Sequence, residues 1–154
     1  MSEVEKPDAI DLELLEIQEE HGGLLRPVDV VAFAKDPDTA LHGRFEWDNE
    51  KASQEYRLWQ ARQIIRVRVT VLDMGGETIS VRAYQSLPSD RAEDDGGYRS
   101  IGVIMAAPEM RRQLLESARK EMTYFRLKYH VLSELAGVFK AMGRVEGRLA
   151  GKRR

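Results

Sequence analysis

Residues 22–68 read GGLLRPVDVVAFAKDPDTALHGRFEWDNEKASQEYRLWQARQIIRVR, and the order of signals in this stretch decides the fold. Gly22 and Gly23 close a preceding helix, because glycine enters the left-handed conformation that helix C-termini commonly adopt. Pro27 suits the first turn of a helix, where its missing N–H costs nothing, and Val28, Val30, Val31, Phe33 and Ala34 give that helix about two turns. Asp36-Pro37-Asp38 ends it, since the residue before a proline is pushed out of the α region. Asp38 or Thr39 then caps a second short helix, expected over Thr39–Phe45. Asp48 or Asn49 caps a longer third one, in which Ala52, Tyr56, Trp59 and Gln63 share a face and Leu58, Ala61 and Ile65 widen the apolar surface. Two short helices around a tight turn match the pattern of a helix-turn-helix. Trp47 and Trp59 are expected as core anchors, given the surface an indole buries.

At Ile65 the period changes from 3.6 to 2. Ile65, Val67, Val69 and Val71 alternate with Arg66, Arg68, Thr70 and Leu72; Asp73-Met74-Gly75-Gly76-Glu77 turns the chain; Ile79, Val81 and Ala83 alternate with Ser80, Arg82 and Tyr84. The pattern predicts a β-hairpin with one apolar face and one bearing Arg66, Arg68 and Arg82, placed like the wing of a winged helix-turn-helix.

Outward from that centre, residues 1–9 are polar, acidic and expected to be disordered, and Ile10, Leu14, Leu15 and Ile17 predict a first amphipathic helix ending near Glu20. Residues 84–100, YQSLPSDRAEDDGGYRS, have no periodicity and many turn formers, so a mobile polar loop is expected over 86–99. Ile101–Ala106 forms a short helix and Pro108 opens a longer one. Met110, Leu114, Ala118, Met122, Phe125, Tyr129, Leu132, Ala136 and Phe139 are spaced 4, 4, 4, 3, 4, 3, 4, 3, and the later part of that run is a coiled-coil seam. A straight helix of about 33 residues would be roughly 50 Å long, which implies a partner chain or a break. Gly137 and Gly143 are the expected weak points. Thus 10–85 form the helix-turn-helix-like module with its hairpin, 100–143 a long helical arm, and 144–154 a frayed basic tail. The class is α+β, mainly α.

Composition narrows the function. The 154-residue chain holds no cysteine, which excludes disulfides, thiolate catalysis and Cys-containing zinc sites. No apolar run is long enough to span a bilayer, and the acidic N-terminus is unlike a secretory signal, so a cytoplasmic protein without membrane contact is expected. The net charge of −2 conceals an asymmetry: residues 1–21 carry a balance of −7 and residues 106–154 a balance of +7. His21, His42 and His130 are too scattered for a ligand set; His42 and Glu46, four apart, fall short of the three or four ligands a metal requires. No serine lies in a nucleophile elbow. Gly96-Gly97-Tyr98-Arg99-Ser100 lacks the lysine and glycine spacing of phosphate loops. Neither a cofactor nor a metal is expected, and an enzymatic site in the 84–100 loop has no acid–base pair to support it.

The segments GGLLRPVDVVAFAKDPDTALHGRFEW, EYRLWQARQIIR, RAYQSLPSDR and GGYRS together resemble a family of small uncharacterised proteins encoded in phages, prophages and similar mobile elements. The resemblance covers roughly residues 12–142. It implies a phage or prophage setting and transfers no catalytic residue. The expectation is therefore a non-enzymatic protein binding double-stranded DNA, with Lys35, Thr39, His42 and Arg44 on the recognition helix and Arg66, Arg68 and Arg82 on the wing. It would self-associate as a homo-oligomer through Ala118, Met122, Phe125, Tyr129, Leu132, Ala136 and Phe139. Against DNA contact stand a pI of about 6.0 and the carboxylates Asp36, Asp38, Glu46 and Asp48 around the recognition helix. The alternative is a phage structural or assembly protein that meets a protein partner and no nucleic acid.

Overall fold

Asp8 starts the first helix, α1 (Ala9–Glu20), with a reciprocal capping box: its carboxylate accepts from the Asp11 N–H at 2.8 Å while the Asp11 carboxylate accepts from the Asp8 N–H at 3.0 Å. The computed structural model describes residues 6–49, 53–93 and 96–151. Residues 1–5 of the expected disordered N-terminus lie outside that range. Ile10, Leu14 and Ile17 recur at helical spacing and are buried on one face of α1. Gly22 and Gly23 follow at φ 65° and 90°, and the Gly23 N–H returns to the Gln18 carbonyl at 2.8 Å, as in a Schellman close.

The remaining elements are α2 (Pro27–Ala34), α3 (Gln54–Arg66), β1 (Val69–Asp73), β2 (Thr78–Arg82), β3 (Tyr84–Gln85), α4 (Pro88–Arg91), β4 (Arg99–Ser100), α5 (Ile101–Ala106), α6 (Pro108–Tyr129) and α7 (Ala136–Gly151). The fold is α+β, mainly α, with a small two-stranded hairpin. The chain divides into two units, Met1–Pro108 and Glu109–Arg154. In the first unit, α1, α2 and α3 enclose a core of Ile10, Leu14, Ile17, Leu25, Val30, Val31, Ala34, Leu41, Phe45, Ala61, Ile64 and Ile65, closed by Tyr84 and Tyr98. Each fully buried leucine or isoleucine there contributes about 1.5–3 kcal/mol.

The second helix of the expected helix-turn-helix does not form. Residues 36–41 are turns, and only His42–Arg44 make one turn of 3-10 helix. The segment is tied to α1: the Glu13 carboxylate accepts from the Ala40 N–H at 2.6 Å and from the Leu41 N–H at 2.8 Å. Thr39 Oγ1 accepts from the His42 N–H at 3.2 Å. These N–H groups are satisfied by side chains, and Leu41 is seated fully in the core.

Four other expectations change. Gly75 and Gly76, at φ 71° and 97°, make the two-residue turn that sets the hairpin register. That register pairs Val69 with Arg82, Val71 with Ser80 and Leu72 with Ile79. Opposed residues share a face, so Val69 and Val71 stand beside Arg82 on the exposed side while Thr70, Leu72 and Val81 are half-buried. The single apolar face is therefore split. Trp59 is 51% exposed and anchors no core, whereas Trp47 packs partly buried against it; the cap of α3 is Ser53, not Asp48 or Asn49. The mobile loop is largely a packed clasp: β3 pairs antiparallel with β4, Leu25 and Tyr98 exchange hydrogen bonds of 2.7 and 2.8 Å, and Leu87 is fully buried. Asp90, buried, receives a bidentate grip from Arg99 at 2.8–3.1 Å. Residues 94 and 95 of that loop lie outside the described residues.

In the second unit the long helix breaks at His130–Leu132, and Gly137 and Gly143 sit inside α7. Leu132 is extended (φ −84°, ψ 102°) and Ser133–Leu135 make a 3-10 turn. The chain reverses there: Arg119 on α6 pairs with Glu146 on α7 at 2.8 Å, and Phe125 meets Phe139 at 6.2 Å. Antiparallel reversal lets one half of the apolar seam face the other. The expected frayed tail is helical as far as Gly151; residues 152–154 lie outside the described range.

Glu13→Ala is expected to cost about 1.5–3 kcal/mol, the range for hydrogen bonds to a charged group. The exposed control Glu16→Ala should stay within about 0.5 kcal/mol of the parent. Urea unfolding followed by circular dichroism measures both.

Candidate functional site

The residues assigned to a recognition helix serve other ends. Lys35 closes α2 and is exposed. Thr39 Oγ1 donates to the Asp36 carbonyl at 2.7 Å. His42 Nδ1 lies 2.8 Å from the Ala34 carbonyl, which only accepts, so that nitrogen carries the proton. The imidazole stacks on Trp47 at 5.1 Å and 10°, and the Trp47 indole N–H donates back to the His42 carbonyl at 2.8 Å. His42 is thus locked between a backbone carbonyl and an indole. Arg44 is exposed and has no ion-pair partner among the described residues.

The hairpin arginines do not form an open cationic wing. The Arg68 side chain is 12% exposed and donates to Asp8 Oδ2 at 2.9 Å and to Asp11 Oδ1 at 3.4 Å. It binds the capping box of α1, and its charge is consumed there. The hydrogen bond from the Asp11 N–H, with Arg68 beside it, holds the Asp8 carboxyl below its ordinary range. Arg82 leans on the Arg66 carbonyl at 3.3–3.4 Å, and Arg66 is exposed. Of the seven residues expected to touch DNA, Thr39, His42 and Arg68 are committed to the fold.

The self-association residues divide similarly. Phe125 packs against Tyr129 at 4.9 Å and against Phe139 at 6.2 Å, and Phe139 is buried. These three meet inside the helical hairpin. Met122 is half-buried, while Ala118, Leu132 and Ala136 are exposed. Sequence reasoning passed over a second exposed apolar group: Tyr124 and Leu127 on α6 and Val131 in the break after it are 69%, 75% and 86% exposed. Part of its signal was legible, because a spacing of 3 places Tyr124 and Leu127 on one helical face.

Sequence reasoning also missed an open cleft of about 390 Å³ lined by Gly43, Arg44, Phe45, Glu46, Tyr56 and Gln60. The extended segment after Phe45 is stitched to α3, since Gln60 Oε1 accepts from the Glu46 N–H at 3.3 Å and Arg57 donates to the Glu46 carbonyl at 3.2 Å. Tyr56 stacks on Trp59 at 5.7 Å and 17°, with both rings about half exposed. Tyr56 and Trp59 are one helical turn apart, a spacing that favours such pairs.

Among the described residues no three His, Asp or Glu side chains are grouped to hold a metal ion, and no helix is long and apolar enough to cross a membrane. The geometry defines an α+β protein whose first unit presents an aromatic and cationic cleft and whose second is a helical hairpin with an exposed apolar stripe. Comparison with protein-family profiles, curated proteins and solved structures finds no match.

One titration reports the packing of the 84–100 clasp. Burial, with the Asp11 charge adding to it and Arg68 opposing, pushes the Tyr84 phenol up to about 12. The fold favours the neutral phenol, so this contribution is complete below the ordinary tyrosine value near 10 and is lost as pH rises from there toward 12. Ultraviolet titration should show one of the five tyrosines ionising late, with stability falling over the same interval. Tyr84→Phe should remove that late step.

Proposed function

We propose that this chain is a non-catalytic assembly protein, acting in the cytoplasm in a phage or prophage setting, that self-associates through its C-terminal helical hairpin. The observation that carries this reading is the exposed apolar group formed by Tyr124 and Leu127 near the end of α6 and Val131 just beyond it. Phe139 is the one buried residue of the described part of this unit, so α6 and α7 leave much of their apolar surface at least partly exposed. Two helices alone rarely bury enough to be stable, and a contiguous exposed apolar stripe marks an interaction surface. A second copy supplies the missing layer by completing a four-helix arrangement, the usual destination of an amphipathic helical hairpin.

Light scattering coupled to size exclusion tests this. The parent should run as a dimer or larger. Leu127→Asp combined with Val131→Asp should give a monomer with unchanged far-ultraviolet circular dichroism, because neither side chain is packed. A parent that stays a strict monomer at its highest soluble concentration overturns the reading. Phe125→Asp is the wrong probe, since Phe125 supports the hairpin itself.

Contact with duplex DNA is the second reading, and its favourable observation lies away from the expected recognition helix. Residues 109–151 carry nine basic groups against five acidic ones. Exposed cations such as Lys120, Arg126 and Lys140 suit phosphates and carry no sequence information. Fluorescence anisotropy with random duplex DNA across a salt series should then show affinity falling steeply with salt. Charge reversal at Lys120 and Arg126 should flatten the slope, and Thr39→Ala should not. Absence of binding at low salt excludes it.

A further inference from the structure

We infer that the cleft between residues 43–46 and α3 is a nucleotide-binding site. The inference does not rest on self-association, because every lining residue belongs to the first unit. Three complementary groups meet there. Tyr56 lines the cleft with its ring about half exposed, while Trp59, outside the lining, stacks on it; planar bases stack on such an exposed ring whatever their sequence. Arg44 brings an exposed guanidinium with no ion-pair partner among the described residues, placed to take a phosphate. Gln60 spends its Oε1 on the Glu46 N–H, while its Nε2 hydrogen-bonds no described residue and can donate to a base or sugar acceptor. Glu46, whose Oε1 accepts from the Asp48 N–H at 3.1 Å, leaves a carboxylate oxygen at the rim for a base N–H. An exposed tyrosine ring, a lone cation and an amide donor fit a planar, acceptor-rich anion better than an aliphatic or acidic peptide. The shared chemistry is a base with its phosphate, supplied by a free mononucleotide or by an unpaired strand.

The full-length protein is titrated with AMP and, separately, with single-stranded oligo(dA), reading tryptophan fluorescence. Trp59 is the exposed indole, and Trp47 lies under His42. Saturable quenching is expected. Saturation by AMP identifies a free nucleotide as sufficient, and saturation by oligo(dA) alone identifies a strand. Tyr56→Ala and Arg44→Ala should each weaken binding about tenfold, the size of one lost stacking or phosphate contact. Trp59→Phe should keep binding, by anisotropy of labelled oligo(dA), while losing most of the quenching. If Tyr56→Ala compromises the fold by circular dichroism, the exposed Arg44→Ala carries the test. No saturable quenching with either probe overturns the proposal. Parent-like affinity in both Tyr56→Ala and Arg44→Ala overturns it as well, since binding would then come from elsewhere.

Discussion

The Glu13 carboxylate holds the first unit in its form. Two consecutive backbone N–H groups, of Ala40 and Leu41, end on its two oxygens, an arrangement that a charged acceptor makes strong. It holds the 36–45 segment against α1, seats Leu41 in the core and forces the chain past His42 in a single 3-10 turn. From there Phe45 and Trp47 fall beside each other with ring centroids 5.6 Å apart, and the strand-like segment beyond is laid along α3. The cleft exists because this segment, instead of a helix, faces α3.

Local signals in the sequence were read correctly because their physics is local. Gly22-Gly23 and Pro27 announce a helix end and a helix start, and Gly75-Gly76 a hairpin turn, through backbone conformations a few residues can settle. What failed depended on distant partners. Nothing near Thr39 says that Glu13, 27 residues away, will satisfy its neighbours. Nothing near Arg68 says that Asp8, 60 residues away, will take its charge. Residues 84–100 hid their order in a pattern without a period: Tyr84, Leu87 and Tyr98 are buried by tertiary pairing. The Asp90–Arg99 pair was visible only as opposite charges nine apart.

The C-terminal seam shows a different limit. Its apolar period was legible, and so was the need for either a break or a partner. The position of the break was not, because glycines inside α7 are tolerated once packing supports the helix. The reversal uses His130–Leu132, so Phe125 and Phe139 find each other within one chain, and the faces left over differ from the seam that the spacing suggested. For the cleft, Arg44 was singled out for its charge alone. Tyr56 and Trp59 were assigned to the core because aromatic residues usually go there.

The two units also differ in how far apart in sequence their defining contacts lie, and this bears on how the chain is made. The Arg119–Glu146 link of the second unit closes over 27 residues. In the first unit the Gln18 amide reaches Ser100, 82 residues on, and Leu25 waits for Tyr98 to complete its bridge. Long closures slow folding, because chain entropy is spent before contacts return it. During synthesis α1 therefore emerges long before the strand that covers it, and Leu14, Ile17 and Leu25 stay without their final neighbours until Tyr98 and Ser100 have been translated. The helical hairpin, in contrast, completes its contacts as soon as its own residues have left the ribosome.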